Sequence, residues 1–180
     1  MVKRHSVFLL FLFVTALVWA EERGEVVEGV DLRQFEGTWY EIARLPNKHQ
    51  KGMVEVTSTL KRTKDGKYVL ITSGYKGSRG GKKTTIKGEV RVKDPENAGE
   101  MKIKMFVFSI DYRVIDLDRD NYRYALITTD SDKFLWILSR SPEMKQAEFD
   151  MLVDSARRQG FDVDRLELVS QESNSAIAGR

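Results

Sequence analysis

The chain has 180 residues, room for one domain with a core of its own, and no cysteine, which removes disulfides, thiolate metal sites and a cysteine nucleophile together. Of its 30 lysines and arginines, Lys3 and Arg4 lie in an N-terminal segment that reads as removable, leaving 28 against 27 acidic residues, a net +1. A near-neutral mixture of both signs gives no electrostatic case for nucleic-acid binding.

Residues 1–20 read as a signal peptide. Lys3, Arg4 and His5 make a basic start, residues 7–20 are apolar except for Thr15, and Val18-Trp19-Ala20 precede the acidic Glu21-Glu22. Those 14 residues fall short of the ~20 that span a bilayer, so cleavage is expected in preference to an uncleaved anchor. Glu21 stands where a bacterial lipoprotein signal needs cysteine. The mature protein is therefore expected to be soluble and outside the cytoplasm, periplasmic or secreted. Residues 21–30 are acidic and lack apolar periodicity, which predicts a flexible leader. Residues 31–170 form the folded domain, and 171–180 a polar, disordered tail.

Short strands separated by turn signals follow. Residues 38–43 are aromatic and branched, with Gly37 before them and Pro46 after. Residues 53–60 and 68–75 flank Asp65-Gly66, a hairpin signal. Residues 84–92 follow a glycine-rich loop, and 101–107 follow a turn containing Pro95, Asn97 and Gly99. Residues 112–117, 122–128 and 133–140 complete eight strands. Met101, Ile103, Met105 and Val107 are apolar with the charged Lys102 and Lys104 between them, and Ile86, Gly88, Val90 and Val92 alternate with charged residues, the period-two mark of a sheet with one wet face.

The period then changes. Ser141-Pro142-Glu143 reads as a helix start, and Met144, Ala147, Met151, Leu152 and Ala156 share one face. Arg157 and Arg158 suit the last turn and Gly160 the stop. Residues 163–169 read as a final short strand. Eight antiparallel strands, a helix and one more strand suggest an all-β sandwich or barrel; an up-and-down barrel with the helix packed outside would have no sheet edges and an interior wide enough for one small ligand.

Chemistry is bounded mainly by exclusion. Once His5 has left, His49 is the sole histidine and cannot build a multi-histidine metal site. Asp116-x-Asp118-x-Asp120 begins like a calcium loop, but its sixth and twelfth positions are Asn121 and Ile127. Gly81-Lys82 lacks the upstream glycine of a phosphate loop, since Lys76 stands there. No catalytic residue, metal site or cofactor is expected.

Three strings and their order carry a resemblance. Gly37-Thr38-Trp39-Tyr40-Glu41-Ile42-Ala43-Arg44, then Tyr112-Arg113-Val114-Ile115-Asp116-Leu117-Asp118 with Tyr122-Arg123-Tyr124-Ala125-Leu126, then Leu135-Trp136-Ile137-Leu138-Ser139-Arg140 resemble the motifs of the lipocalins. The first and third, with Gly160-Phe161-Asp162, are most similar to the bacterial lipocalin and apolipoprotein D group. The acidic turn departs from the family in having Leu117-Asp118-Arg119.

The resemblance implies structural roles for Gly37, Trp39 and Arg140, with Trp39 at the closed end and the Arg140 guanidinium across its indole. It implies a lipid-binding interior, and the strand pattern offers Val56, Ser58, Leu60, Val69, Ile71, Ile86, Gly88, Val90, Met101, Ile103, Met105, Tyr112, Val114, Tyr124, Trp136 and Leu138 as lining candidates. On the first strand Trp39, Glu41 and Ala43 share one face and Tyr40 and Ile42 the other; both faces carry apolar groups. The implied ligand is one amphiphilic lipid, a fatty acid or lysophospholipid, held for transport, storage or membrane maintenance, with rim residues such as Lys76, Arg79, Lys82 and Lys83 near its headgroup. Alternatives remain open: an isomerase-like enzyme on the same barrel with Glu41 as base, a haem or pigment binder, a homodimer, and transient membrane contact.

Overall fold

A computed structural model describes residues 24–171; the signal-peptide reading and the tail beyond Gln171 fall outside the described residues. The strands are β1 (Gly37–Arg44), β2 (Met53–Arg62), β3 (Tyr68–Lys76), β4 (Lys83–Arg91), β5 (Glu100–Lys104), β6 (Ser109–Leu117), β7 (Tyr124–Thr128), β8 (Leu135–Ser139) and β9 (Glu167–Leu168). Each of the first seven pairs antiparallel with the next, and β1 pairs with both β2 and β8, so the ring closes. β9 bonds to β1 as an extra strand outside the ring. The architecture is the closed eight-stranded barrel with a helix and a ninth strand that the sequence pattern implies.

Strand direction alternates, so the connections separate into two ends. Residues 45–52, 77–82, 105–108 and 129–134 lie at one end. Residues 63–67, 92–99 and 118–123 lie at the other, with the short helix α1 (Leu32–Phe35). Period two sorts the walls: in β5, Met101 and Ile103 are buried while Lys102 and Lys104 are exposed. Interior residues form one apolar cluster that includes Trp39, Leu60, Leu70, Val90, Met101 and Leu138.

The outer wall carries a second cluster. Helix α2 (Gln146–Arg158) lays Phe149, Leu152, Val153 and Ala156 against Ile115, Leu126 and Ile137. That stripe also follows helical spacing, but its members differ from the expected set: Ala147 and Met151 are exposed. The helix also starts later than its sequence signal. Ser141 Oγ accepts the Glu143 amide at 3.3 Å in a turn, and the first helical bonds run to the Lys145 carbonyl. Gly160 (φ +80°) ends the helix in the left-handed region as expected.

Two strand boundaries are corrected. β5 stops at Lys104, where the sequence suggests 107, because the Met105 amide bonds the Phe108 carbonyl at 2.9 Å and turns the chain. In place of a strand over 163–169, a 3₁₀ turn (Val163–Arg165) precedes the two residues of β9. Within the leader, the Val27 amide bonds the Val114 carbonyl at 2.8 Å, and Val30 is fully buried with its carbonyl accepting from Ala98. Gly99 permits this docking: a Cβ there would lie 2.0 Å from the Val27 carbonyl oxygen.

Candidate functional site

The closed end is a floor of stacked planar groups. The Trp39 ring stacks on Phe35 at 4.6 Å between centroids, and Trp39 Nε1 donates to the Phe35 carbonyl at 3.0 Å. The Arg140 guanidinium covers the indole at 3.9 Å. Its Nη2 donates to the Gln34 carbonyl at 2.8 Å and its Nε to the Tyr122 carbonyl at 3.2 Å. Gly37 sits at φ +100°, and a Cβ there would lie 3.0 Å from Arg140 Nη1. The glycine therefore supplies both the turn and the room for the arginine. Asp31 caps α1 by accepting the Arg33 amide at 2.8 Å, fixing the plug beneath the indole.

Above the floor, the register shows which lining candidates face inward. Trp39 opposes Ser58 and Gly37 opposes Leu60. Leu60, Val90, Met101, Ile103, Tyr112, Val114 and Leu138 join the interior cluster, with Trp136 partly buried against it. Ser58 meets Thr72 hydroxyl to hydroxyl at 2.9 Å. The structure thus brings these candidates together.

Other candidates are displaced. Val69 and Ile71 alternate with Tyr68, Leu70 and Thr72, which face in, so they face out. Tyr124 packs in the outer cluster, because Ala125 and Ile127 take the inward places on β7. Val56 packs with Met53 and Val169 beside a bulge in β2. Met105 has left its strand and enters the turn. Gly88 is on the inner face but leaves no space, since Ile103 Cγ2 lies 2.4 Å from where its Cβ would be. Ile86 opposes the inward Thr72 yet is 43% exposed.

That exposure locates open space. An inward side chain reaches solvent only where the interior is open to it. The interior positions nearest the floor are fully buried, whereas Ile86, Thr72, Ile110 and Trp136 are all partly exposed. The candidate chamber is therefore the half of the barrel away from Trp39, on the side of the four loops 45–52, 77–82, 105–108 and 129–134, here called the open end.

A buried polar network stands in its wall. β1 bulges between Glu41 and Ala43, so Ile42 and Ala43 both turn to the outer cluster and Arg44 turns inward opposite Trp136. Glu41 and Arg44 then share the interior side, and Arg44 Nη1 donates to Glu41 Oε1 at 2.8 Å with both side chains under 5% exposed. The 45–52 loop tucks Gln50 beneath it. Gln50 Nε2 donates to Glu41 Oε2 at 2.7 Å, and Gln50 Oε1 accepts Trp136 Nε1 at 2.8 Å. Asn47 holds that loop by accepting the Gln50 amide at 2.9 Å. Burial pushes the Glu41 carboxyl above its ordinary range, against the opposing pull of Arg44 and Gln50. Burial, with the Glu41 charge nearby, pushes the Tyr112 hydroxyl far up, so it stays a neutral donor at any ordinary pH. Arg44 Nε has no hydrogen-bond partner among the described residues.

Sequence reasoning missed Arg44 and Gln50. On a regular strand, positions three apart face opposite ways, and nothing in Glu41-Ile42-Ala43-Arg44 marks a bulge. Two further clefts of about 440 Å³ lie outside the barrel, one between residues 25–28 and α2, the other on the outer face of β1–β3 beside Gln171. Among the described residues, no group of three or more histidine, cysteine or acidic side chains is placed to hold a metal.

A lipocalin-like domain family matches residues 30–171, the barrel together with its floor and ninth strand. The chain is a lipocalin. It is 34% identical over 163 residues to the outer membrane lipoprotein Blc of Escherichia coli K12, covering 89% of this chain and 91% of that one. It is 29% identical over 170 residues to Blc of Vibrio cholerae, covering 93% and 99%. Apolipoprotein D of Macaca fascicularis matches at 25% identity over 82% of this chain and 80% of its own. The match to the bacterial lipocalin and apolipoprotein D group agrees with the motif resemblance. In structure, the cockroach allergen Per a 4 superposes with a TM-score of 0.65 at 20% identity, covering 80% of this lipocalin and 90% of the allergen. That likeness supports the fold.

Proposed function

We propose that this lipocalin is an extracytoplasmic carrier that encloses one fatty acid or lysophospholipid without transforming it. The observation that carries the reading is the graded interior: a sealed aromatic floor, a packed apolar belt, and above it inward side chains that reach solvent, Thr72, Ile86, Ile110 and Trp136, beside the buried Arg44–Glu41 pair. An acyl chain of about 15 methylenes gains up to ~12 kcal/mol on leaving water, less the cost of ordering it. The polar groups suit the end of an amphiphile rather than its chain. Glu41 is committed to Arg44 and Gln50, which favours binding over general-base chemistry. The Blc relatives are named outer membrane lipoproteins; this chain has no cysteine to take a thioether-linked acyl anchor, so the reading is of a carrier released into the periplasm or beyond.

Native mass spectrometry of protein purified from its own envelope fraction tests this. A co-purifying fatty acid or lysophospholipid is the expected result. Retention of a haem or pigment would refute the ligand class, and turnover of a bound lipid by the pure protein would refute a binding-only role.

A further inference from the structure

We propose that the open end of this lipocalin docks on an anionic lipid bilayer, with the 105–108 turn as the inserting tip. The inference rests on the carrier reading for its purpose but not for its geometry. Phe106 is 99% exposed, Val107 79% and Phe108 57%. Single exposed apolar residues are ordinary, but three in a row on a loop tip form a patch that marks an interaction site. The fold does not ask for them. A tight hairpin turn of this kind is best served by asparagine, aspartate or glycine, and here its centre is Phe106-Val107. A local rule broken at full exposure, with no packing gained, points to a task outside the folded chain.

The charge around the tip indicates the partner. The four connections of the open end (45–52, 77–82, 105–108 and 129–134) carry five lysines and arginines against two aspartates. The opposite end (31–36, 63–67, 92–99 and 118–123) carries six against seven acids. A mature chain that is nearly neutral overall thus concentrates its positive charge around one apolar tip. A second copy docked tip to tip would bring two lysine-rich rims together, which costs rather than gains energy. An anionic bilayer offers both complements at once: phosphate for the rim and hydrocarbon for the tip.

The surface also lies beside a way into the chamber. β4 pairs with β5 only from Glu89 to Arg91, leaving residues 83–88 without a strand partner on that side among the described residues. Ile86, inward but 43% exposed, lines this stretch, and Met105 reaches toward Gly88. Docking at the tip brings the mouth against the membrane, so an acyl chain passes between bilayer and barrel with little exposure to water.

Flotation of the purified mature protein with vesicles of phosphatidylcholine, with and without a third of phosphatidylglycerol, tests the proposal. Burying one phenylalanine multiplies partitioning by roughly tenfold, and each lysine near an anionic surface by roughly fivefold. Binding is therefore expected on the anionic vesicles, weaker at high salt, and reduced at least about tenfold by Phe106→Ser/Phe108→Ser. Lys48→Glu/Lys133→Glu, on open-end loops and away from the residues placed near the ligand headgroup, should reduce binding to anionic vesicles and leave the weak binding to neutral ones unchanged. Both pairs are exposed, so melting temperature and uptake of a fluorescent fatty acid should match the wild type. Equal binding to both vesicle types, or full binding by the phenylalanine variant, overturns the proposal. So does a concentration-dependent dimer that the phenylalanine variant abolishes while no vesicle binding is seen. Vesicle binding by a protein that takes up no fatty acid would refute the carrier reading and leave the docking surface standing.

Discussion

The buried pair in the chamber wall gives a prediction whose size depends on pH. Arg44→Met keeps the bulk of the side chain and removes its charge, leaving Glu41 at 2% exposure with Gln50 as its remaining partner. Breaking a buried ion pair from one side costs ~3–5 kcal/mol, because the surviving charge is neither hydrated nor paired. For a domain of this length that lowers Tm by roughly 6–20 °C. The sign with pH follows from Glu41, whose carboxyl burial already raises. A raised carboxyl binds more protons folded than unfolded, so its contribution is fully present below the ordinary value of 4.5 and is lost as pH rises through the folded pKa. Removing Arg44 removes a group that pulls that pKa down, so the window of loss extends to higher pH. At pH near 4.5 the variant loses little more than a hydrogen bond, ~1 kcal/mol; at neutral pH it loses the full amount. Glu41→Gln/Arg44→Met removes both charges and should recover most of the stability at neutral pH. Urea unfolding of the wild type and both variants at the two pH values reads this out. An Arg44→Met loss that is the same at both, or under ~1 kcal/mol at neutral pH, would refute the reasoning.

Three other expectations follow from the closed end. Trp39→Ala removes the fully buried indole between Phe35 and Arg140 and should cost ~3–5 kcal/mol in chemical denaturation. Gly37→Ala forces a Cβ into a φ of +100° and to 3.0 Å from Arg140 Nη1, so it should destabilise by at least ~1 kcal/mol, and Ser at the same site should do no better. Burial pushes the Asp118 carboxyl up, but the hydrogen bond and charge of Arg123 and the backbone amides of Arg123 and Asn121 outweigh it and hold the group below 3.8. Its contribution is therefore present above that value and lost as pH falls through the lower folded pKa; Asp118→Asn should flatten the acid limb of a stability-versus-pH curve.

The fold was legible because its signals are local and redundant. Alternation in β5, the Asp65-Gly66 turn and the terminal Gly160 each state their conformation within a few residues. The floor was legible as a motif, since Gly37, Trp39 and Arg140 stand in strings that resemble those of the lipocalins. The chamber was not, for three physical reasons. A period-two reading carries the wrong phase past any bulge, which hid Arg44. Apolar residues also line the outer wall wherever α2 covers it, so Tyr124 looked like lining. And a strand's end depends on where a turn closes, so Met105 and Val107 looked like wall when they belong to the tip.

The two bulges of the first hairpin bear on the chamber together. β1 pairs with β2 only from Gly37 to Tyr40; beyond that, β1 bulges after Glu41, and β2 bulges near Glu55, which sits at φ +49°. The seam between them would leave backbone groups unpaired at the level of the Glu41–Arg44 pair. The C-terminal segment supplies the partners. The Val169 amide donates to the Ile42 carbonyl at 2.9 Å and the Glu55 amide to the Ser170 carbonyl at 2.8 Å. Gln171 Nε2 donates to the carbonyls of Glu41 at 2.8 Å and Val56 at 3.0 Å. Buried backbone groups left without such partners would be costly enough to forbid the bulge. The chain end thus lets β1 leave its regular register, and that departure is what turns Arg44 into the barrel. The polar wall of the chamber is built by residues 41 and 44 but made possible by residues 169–171.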